Sequence, residues 1–179
     1  TLDNPNYQFV AARLLLFAVR KSLYGKTREL PHLEQHIMSC TNQDVYDKDI
    51  FNKYSKEEID KVNGWIDHER DFLFTYAGLR QVVDKYLVQD RSTGKVYETP
   101  QFMYMMIALT IFAEYPKERR LNYVRRYYDA ISKHRINIPT PIMAGVRTPI
   151  RQFASCVLVD SDDTLDSIFS SDVAIGKYV

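Results

Sequence analysis

The run RINIPTPIMAGVRTPIRQFASCVLVD, residues 135–160, divides the chain into two kinds of sequence. Upstream, apolar residues recur at helical spacing; inside the run, Pro139, Pro141 and Pro149 crowd together around Gly145. Proline fixes φ and removes a backbone donor, so this stretch reads as an extended, rigid connection. Beyond it, Phe153-Ala154-Ser155-Cys156-Val157-Leu158-Val159 reads as a strand buried on both faces, closed by an acidic turn at residues 160–163, with a helix beginning near Thr164. Strand, polar turn and helix in that order open a parallel α/β unit, whose sites lie beyond the carboxyl ends of its strands. One such unit is not a domain, so its remaining strands are expected outside this sequence.

Working back toward the start, the pattern is helical. Residues 5–24 place Phe9, Val10, Leu14, Phe17 and Leu23 at helical spacing, with Asn4-Pro5 as the opening and Gly25 as the stop. A second helix is expected over 31–40. A third opens at Ser55, whose spacing to Glu58 makes a capping box, and carries Ile59, Val62 and Ile66. Residues 70–83 continue helically. Tyr86-Leu87-Val88 and Lys95-Val96-Tyr97 then flank Asp90-Arg91-Ser92-Thr93-Gly94 as an inserted β-hairpin. Thr99-Pro100 caps and starts a helix whose run over 103–112 is apolar on nearly all sides and therefore buried, and Pro116 starts another that ends near Arg135. There is no internal repeat and no low-complexity tract.

With 179 residues, 45% hydrophobic content and a formal charge of +1, the chain can bury one sizeable core and has no electrostatic footprint for nucleic acid or an anionic membrane. Its apolar runs are too short to span a bilayer, and no basic start plus apolar stretch suggests a signal peptide. Two distant cysteines, Cys40 and Cys156, fit a reducing cytoplasm, where a special thiol is reactive and not structural. The start near Asn4-Pro5 and the helical Lys177-Tyr178-Val179 lead us to expect further sequence on both sides.

Four clusters invite a chemical reading. His32, His36 and Cys40 lie on one helix face, but eight helical residues rise about 12 Å, too far for one ion held at about 2 Å by each ligand. No metal is therefore expected. Residues 117–135 interleave Lys and Arg with Tyr123, Tyr127 and Tyr128; Glu118, Asp129 and the helical period favour a solvated face over a tyrosine-rich core against an RNA surface. The run 67–71 reads as an exposed, salt-bridged turn more than as an acid–base pair. Ser155-Cys156 interrupts an apolar strand, so Cys156 is either a small core cysteine or part of a site, and position alone leaves both open.

The run from Ile138 to Val157, with Pro139-Thr140-Pro141-Ile142-Met143, Gly145, Arg147-Thr148-Pro149, Arg151-Gln152-Phe153 and Ser155-Cys156-Val157, resembles class I ribonucleotide reductase large subunits. So do Pro5-Asn6-Tyr7-Gln8-Phe9, Ala11-Ala12-Arg13-Leu14, the run 67–71, Lys85-Tyr86-Leu87-Val88, Tyr97-Glu98 and Gln101-Phe102, which together span essentially the whole chain. The resemblance implies a mainly α fold: a helical N-terminal domain over 1–150 with the inserted hairpin, then over 151–179 the first strand and helix of a ten-stranded α/β barrel completed by sequence outside this chain. It implies reduction of ribonucleoside diphosphates by thiyl-radical chemistry. Cys156 matches one thiol of the reducing pair; Thr140 and Ser155 match positions that hold the substrate diphosphate. Asp163, Thr164 and Leu165 match the start of a specificity site for a nucleoside triphosphate effector. Asp162 stands where the family pattern has glycine and Ala154 where it has serine. Implied partners are the remainder of the large subunit, a second large subunit, a small subunit bearing the metal-radical cofactor, and thioredoxin or glutaredoxin as reductant. The second thiol and the radical cysteine match nothing here, so the chain alone is expected to be inactive. A regulatory ATP-cone domain is not among the matched segments. The alternative function is a non-catalytic helical interaction or regulatory module.

Overall fold

The computed structural model describes residues 4–178. In chain order the regular elements are α1 (Tyr7–Tyr24), α2 (Leu33–Asn42), α3 (Asp49–Lys53), α4 (Lys56–Asn63), α5 (Tyr76–Gln81), β1 (Gln89–Asp90), β2 (Lys95–Val96), α6 (Pro100–Ile111), α7 (Lys117–Ser132), α8 (Thr140–Gly145) and α9 (Leu165–Tyr178). A 3₁₀ turn, His68–Leu73, precedes α5, and a π turn, Val82–Tyr86, follows it. The protein is mainly helical with one small antiparallel hairpin, as the sequence predicts.

The first ten residues of α6, Pro100 to Leu109, are all buried. A helix apolar on all sides must be surrounded. Helix α7 packs on α6 and α4, α1 on α5 and the 3₁₀ turn, and α8 on α6 and the π turn. Local chemistry fixes the ends of these helices. Gly25 ends α1 at φ 70°, a conformation that costs glycine nothing. Ser55 Oγ accepts from Glu58 N–H at 3.3 Å while Glu58 accepts from Ser55 N–H at 2.8 Å, the expected capping box of α4. In the hairpin, Asp90 accepts from the Ser92 amide and from both the Ser92 and Thr93 hydroxyls, which holds its carboxyl down at about 2. The Thr99 hydroxyl, expected to cap α6, instead lies buried without a hydrogen-bond partner.

Four expectations are corrected. The continuous helix over 70–83 is broken, because Arg20 draws in the His68 carbonyl at 2.8 Å and Asp71 at 2.9 Å, and Thr75 then caps a fresh helix through Gly78 N–H. For the same reason the run 67–71 is not simply an exposed turn: Asp71 is 1% exposed and also accepts from Gln101. The supposed extended connection contains α8, since Pro139 precedes its first turn and Pro141 lies within it, where helical N–H groups need no partner. The strand over 153–159 is not formed, and its residues are exposed instead of buried on both faces. A strand exists only through its ladder, and no neighbour offers one among the described residues.

Residues 117–135 largely match the expected solvated face. Tyr128 is buried and bonded to Gln101 at 2.8 Å. Arg120 departs from the pattern, lying 3% exposed and paired with Glu58.

Candidate functional site

The proline-containing segment is anchored by one guanidinium. Arg147 Nε donates to both carboxylate oxygens of Glu98 at 3.1 and 2.9 Å, its Nη1 to the Met143 carbonyl at 2.5 Å, and its Nη2 to the Tyr86 carbonyl at 3.0 Å. Glu98 also accepts from Val88 N–H at 2.7 Å and from the Tyr46 hydroxyl at 2.5 Å. The two charges have no exposed side-chain surface, so only these bonds offset their lost hydration. Burial alone would lower the Arg147 pKa; the Glu98 charge and hydrogen bonds outweigh it and raise it. Asp47 N–H donates to the Arg147 carbonyl at 2.9 Å, and Arg151 pairs with Asp47. The segment leading to Cys156 is therefore fastened as far as residue 151.

Thr140 is exposed on α8, its hydroxyl 3.4 Å from the Tyr86 phenol. Ser155 and Cys156 lie beyond the anchor in the exposed segment, and Cys156 is a free thiol. Position left open a small core cysteine or part of a site; in this structure Cys156 is exposed. Cys40 is the buried one, 2% exposed, its thiol pushed up to about 12 by burial and by the charge of Glu98. A thiol held protonated in this way is a poor nucleophile.

Residues 160–165 form a turn tied to α9. Thr164 Oγ1 accepts from Ser167 N–H at 3.2 Å, Ser167 Oγ accepts from Asp162 N–H at 2.8 Å, and Ser171 Oγ donates to the Asp160 carbonyl at 3.2 Å. Asp162 thus makes its turn bond through its amide, which does not require glycine. Asp163 and Leu165 are exposed, Leu165 at 71%. The structure does not join Thr140, Ser155, Cys156 and Asp163 in one pocket. A cleft of about 550 Å³ instead opens between the π turn and hairpin and residues 141–152, lined among others by Lys85, Tyr86, Tyr97, Pro141 and Gln152.

His32 and His36 point to different partners. His36 is buried, stacked on Phe102 at 4.1 Å and bonded to Tyr46 at 2.9 Å, and burial lowers its pKa to about 4. His32 Nδ1 accepts from Glu34 N–H at 3.3 Å as the cap of α2, and its Nε2 faces Asp60 at 3.5 Å. His32, Glu34 and Asp60 bring ligand atoms within 4.8 Å of one another, a grouping across two helices that sequence spacing does not reveal. Both ring nitrogens are already engaged, Nδ1 in the cap and Nε2 against Asp60. None of the described helices is long and apolar enough to cross a membrane.

Residues 72–151 match the all-alpha domain of ribonucleotide reductase. The chain is 50% identical over 177 residues to a Haemophilus influenzae ribonucleoside-diphosphate reductase subunit alpha, covering 99% of this chain and 23% of that protein. The chain belongs to the ribonucleotide reductase large-subunit family. A subunit alpha from Escherichia coli is 49% identical over 99% of the chain, and one from Enterobacteria phage T4 is 46% identical over all of it, so the chain spans about a quarter of the relatives it matches.

Tyr86, Glu98 and Arg147 stand in separate words shared with the reductase family, and nothing in those words joins them. The available signal was isolated charge: Glu98 and Arg147 each stand in a short segment with mostly uncharged neighbours, where an ion is tolerated only with a partner.

Proposed function

We propose that this segment supplies part of the active site of a class I ribonucleoside-diphosphate reductase. Cys156 is one thiol of a pair that reduces the substrate: the 3′-hydrogen is abstracted by a thiyl radical borne elsewhere in the subunit, the 2′-hydroxyl leaves as water, and the two thiols become a disulfide as two electrons pass to the sugar. The observation that carries this reading is the position of the free thiol Cys156, just after the Arg147 anchor, within a sequence alike to reductase alpha subunits along its whole length.

Thr140 and Ser155 offer hydroxyl donors to the diphosphate, a neutral cradle suited to an anionic ligand. Asp163, Thr164 and Leu165 begin the effector site. Among the described residues Thr164 is engaged through its cap bond, while the Asp163 carboxylate can accept from a sugar hydroxyl. The domain division falls at residue 150, and residues 153–159 become the first barrel strand when the remainder of the large subunit supplies the ladder. Exposed Ile150, Phe153, Val157, Leu158 and Val159 are then covered. The radical arises on a metal-bearing small subunit, a second large subunit completes the effector site, and thioredoxin or glutaredoxin restores the thiols.

The test joins this segment to the remainder of a large subunit and supplies the small subunit. Reduction of ribonucleoside diphosphates is expected with Cys156 and not with Cys156→Ser. Undiminished activity of that variant refutes the assignment.

A further inference from the structure

The Tyr86 phenol and the Thr140 hydroxyl face one another at 3.4 Å across the gap between the π turn and α8. They come from positions 54 residues apart, and both sides of the gap are fixed by the same buried guanidinium. Arg147 holds the Tyr86 carbonyl at 3.0 Å through Nη2 and the Met143 carbonyl of α8 at 2.5 Å through Nη1. Tyr86 is half-buried and Thr140 exposed, so the pair stands at the surface. The π turn that delivers Tyr86 is a rare, locally widened helix of a kind that re-aims side chains at sites.

Resting on the reading above that Thr140 binds the substrate diphosphate, we propose that Tyr86 is the positioning residue of that subsite. A phenol is more acidic than an alcohol, so Tyr86 donates and Thr140 Oγ1 accepts. The accepted bond occupies a lone pair of Thr140 and leaves its O–H free to donate to a phosphoryl oxygen, and polarisation along the chain strengthens that second bond. No bond is made or broken in this role; Tyr86 acts on the ground-state binding of an anionic group and not on the reacting sugar. Its loss therefore raises KM and leaves kcat nearly unchanged.

The test uses the full-length subunit carrying this segment, with its small subunit, and ribonucleoside diphosphate as the varied substrate. Thr140→Ala is expected to raise KM about tenfold and Tyr86→Phe about threefold, the effect of one neutral hydrogen bond, with kcat within about twofold and Tm unchanged. In the Thr140→Ala background, Tyr86→Phe is expected to add nothing, and Thr140→Ser is expected to restore its effect. An increase in KM by Thr140→Ala with none by Tyr86→Phe overturns the positioning role alone. Equal Tyr86→Phe effects in both backgrounds, or a fall in Tm, overturn it in favour of a merely structural phenol. An unchanged KM in Thr140→Ala overturns the diphosphate reading of Thr140 and this inference with it.

Discussion

The Arg147 guanidinium and the Glu98 carboxylate, 49 positions apart, meet as an ion pair with both side chains 0% exposed. The pair ties four pieces of chain together: the π turn through the Tyr86 carbonyl, the hairpin region through Val88 and Glu98, α8 through Met143, and the loop after α2 through Tyr46. It is the fixed point from which residues 148–156 depart.

Removing one partner leaves the other charge buried and unpaired, so Arg147→Met is expected to cost about 3–5 kcal/mol. Arg147→Met with Glu98→Gln is expected to cost less than the sum of the single changes, because the orphaned charge is gone. Urea denaturation of the four proteins measures both. Additive losses contradict the pairing.

The two cysteines differ in exposure, which a thiol reagent reads directly. In the native chain one thiol is expected to react fast and the other only on unfolding; Cys156→Ser removes the fast phase and Cys40→Ser the slow one. Two fast thiols contradict the burial of Cys40.

The helices were legible because their signals are local. The Ser55–Glu58 box, the Gly25 stop and the all-round apolar α6 each needed one turn or one face of sequence. What was not legible depends on distant partners. The break before α5 is set by Arg20 reaching Asp71 across 51 positions, and the strand over 153–159 fails for want of a neighbour. Prolines misled at α8 because a helix admits them in its first turn. Cys156 and Thr140 are proposed from motif words, whereas Tyr86 beside Thr140 required the fold.

His36 and His68 are both lowered to about 4 from an ordinary 6.5, chiefly by burial, so they stay neutral when folded and protonate on unfolding. Their stability contribution is present above pH 6.5 and is lost as pH falls toward 4. Asp71 opposes them: burial outweighs Arg20 and raises it to about 6 from 3.8, so its contribution is lost as pH rises through 6. Near pH 5 the histidines outweigh Asp71, so unfolding is expected to take up protons, and His36→Gln to take up fewer. Stability measured between pH 5 and 6.5 checks the sign. A wild-type stability that rises on acidification contradicts it.

Ser55→Ala removes one half of a cap and is expected to cost about 1 kcal/mol. Glu58→Ala is expected to cost more, since Glu58 also pairs with the buried Arg120 guanidinium. Thermal denaturation ranks the two, and a larger loss in Ser55→Ala contradicts the dual role.

Cys156 is proposed to give electrons to the substrate. In the assembled reductase, reduced and then allowed a single turnover without external reductant, alkylation and peptide mass analysis should find Cys156 in a disulfide, in proportion to the deoxynucleotide formed. Deoxynucleotide formed while Cys156 remains fully alkylatable would contradict the claim.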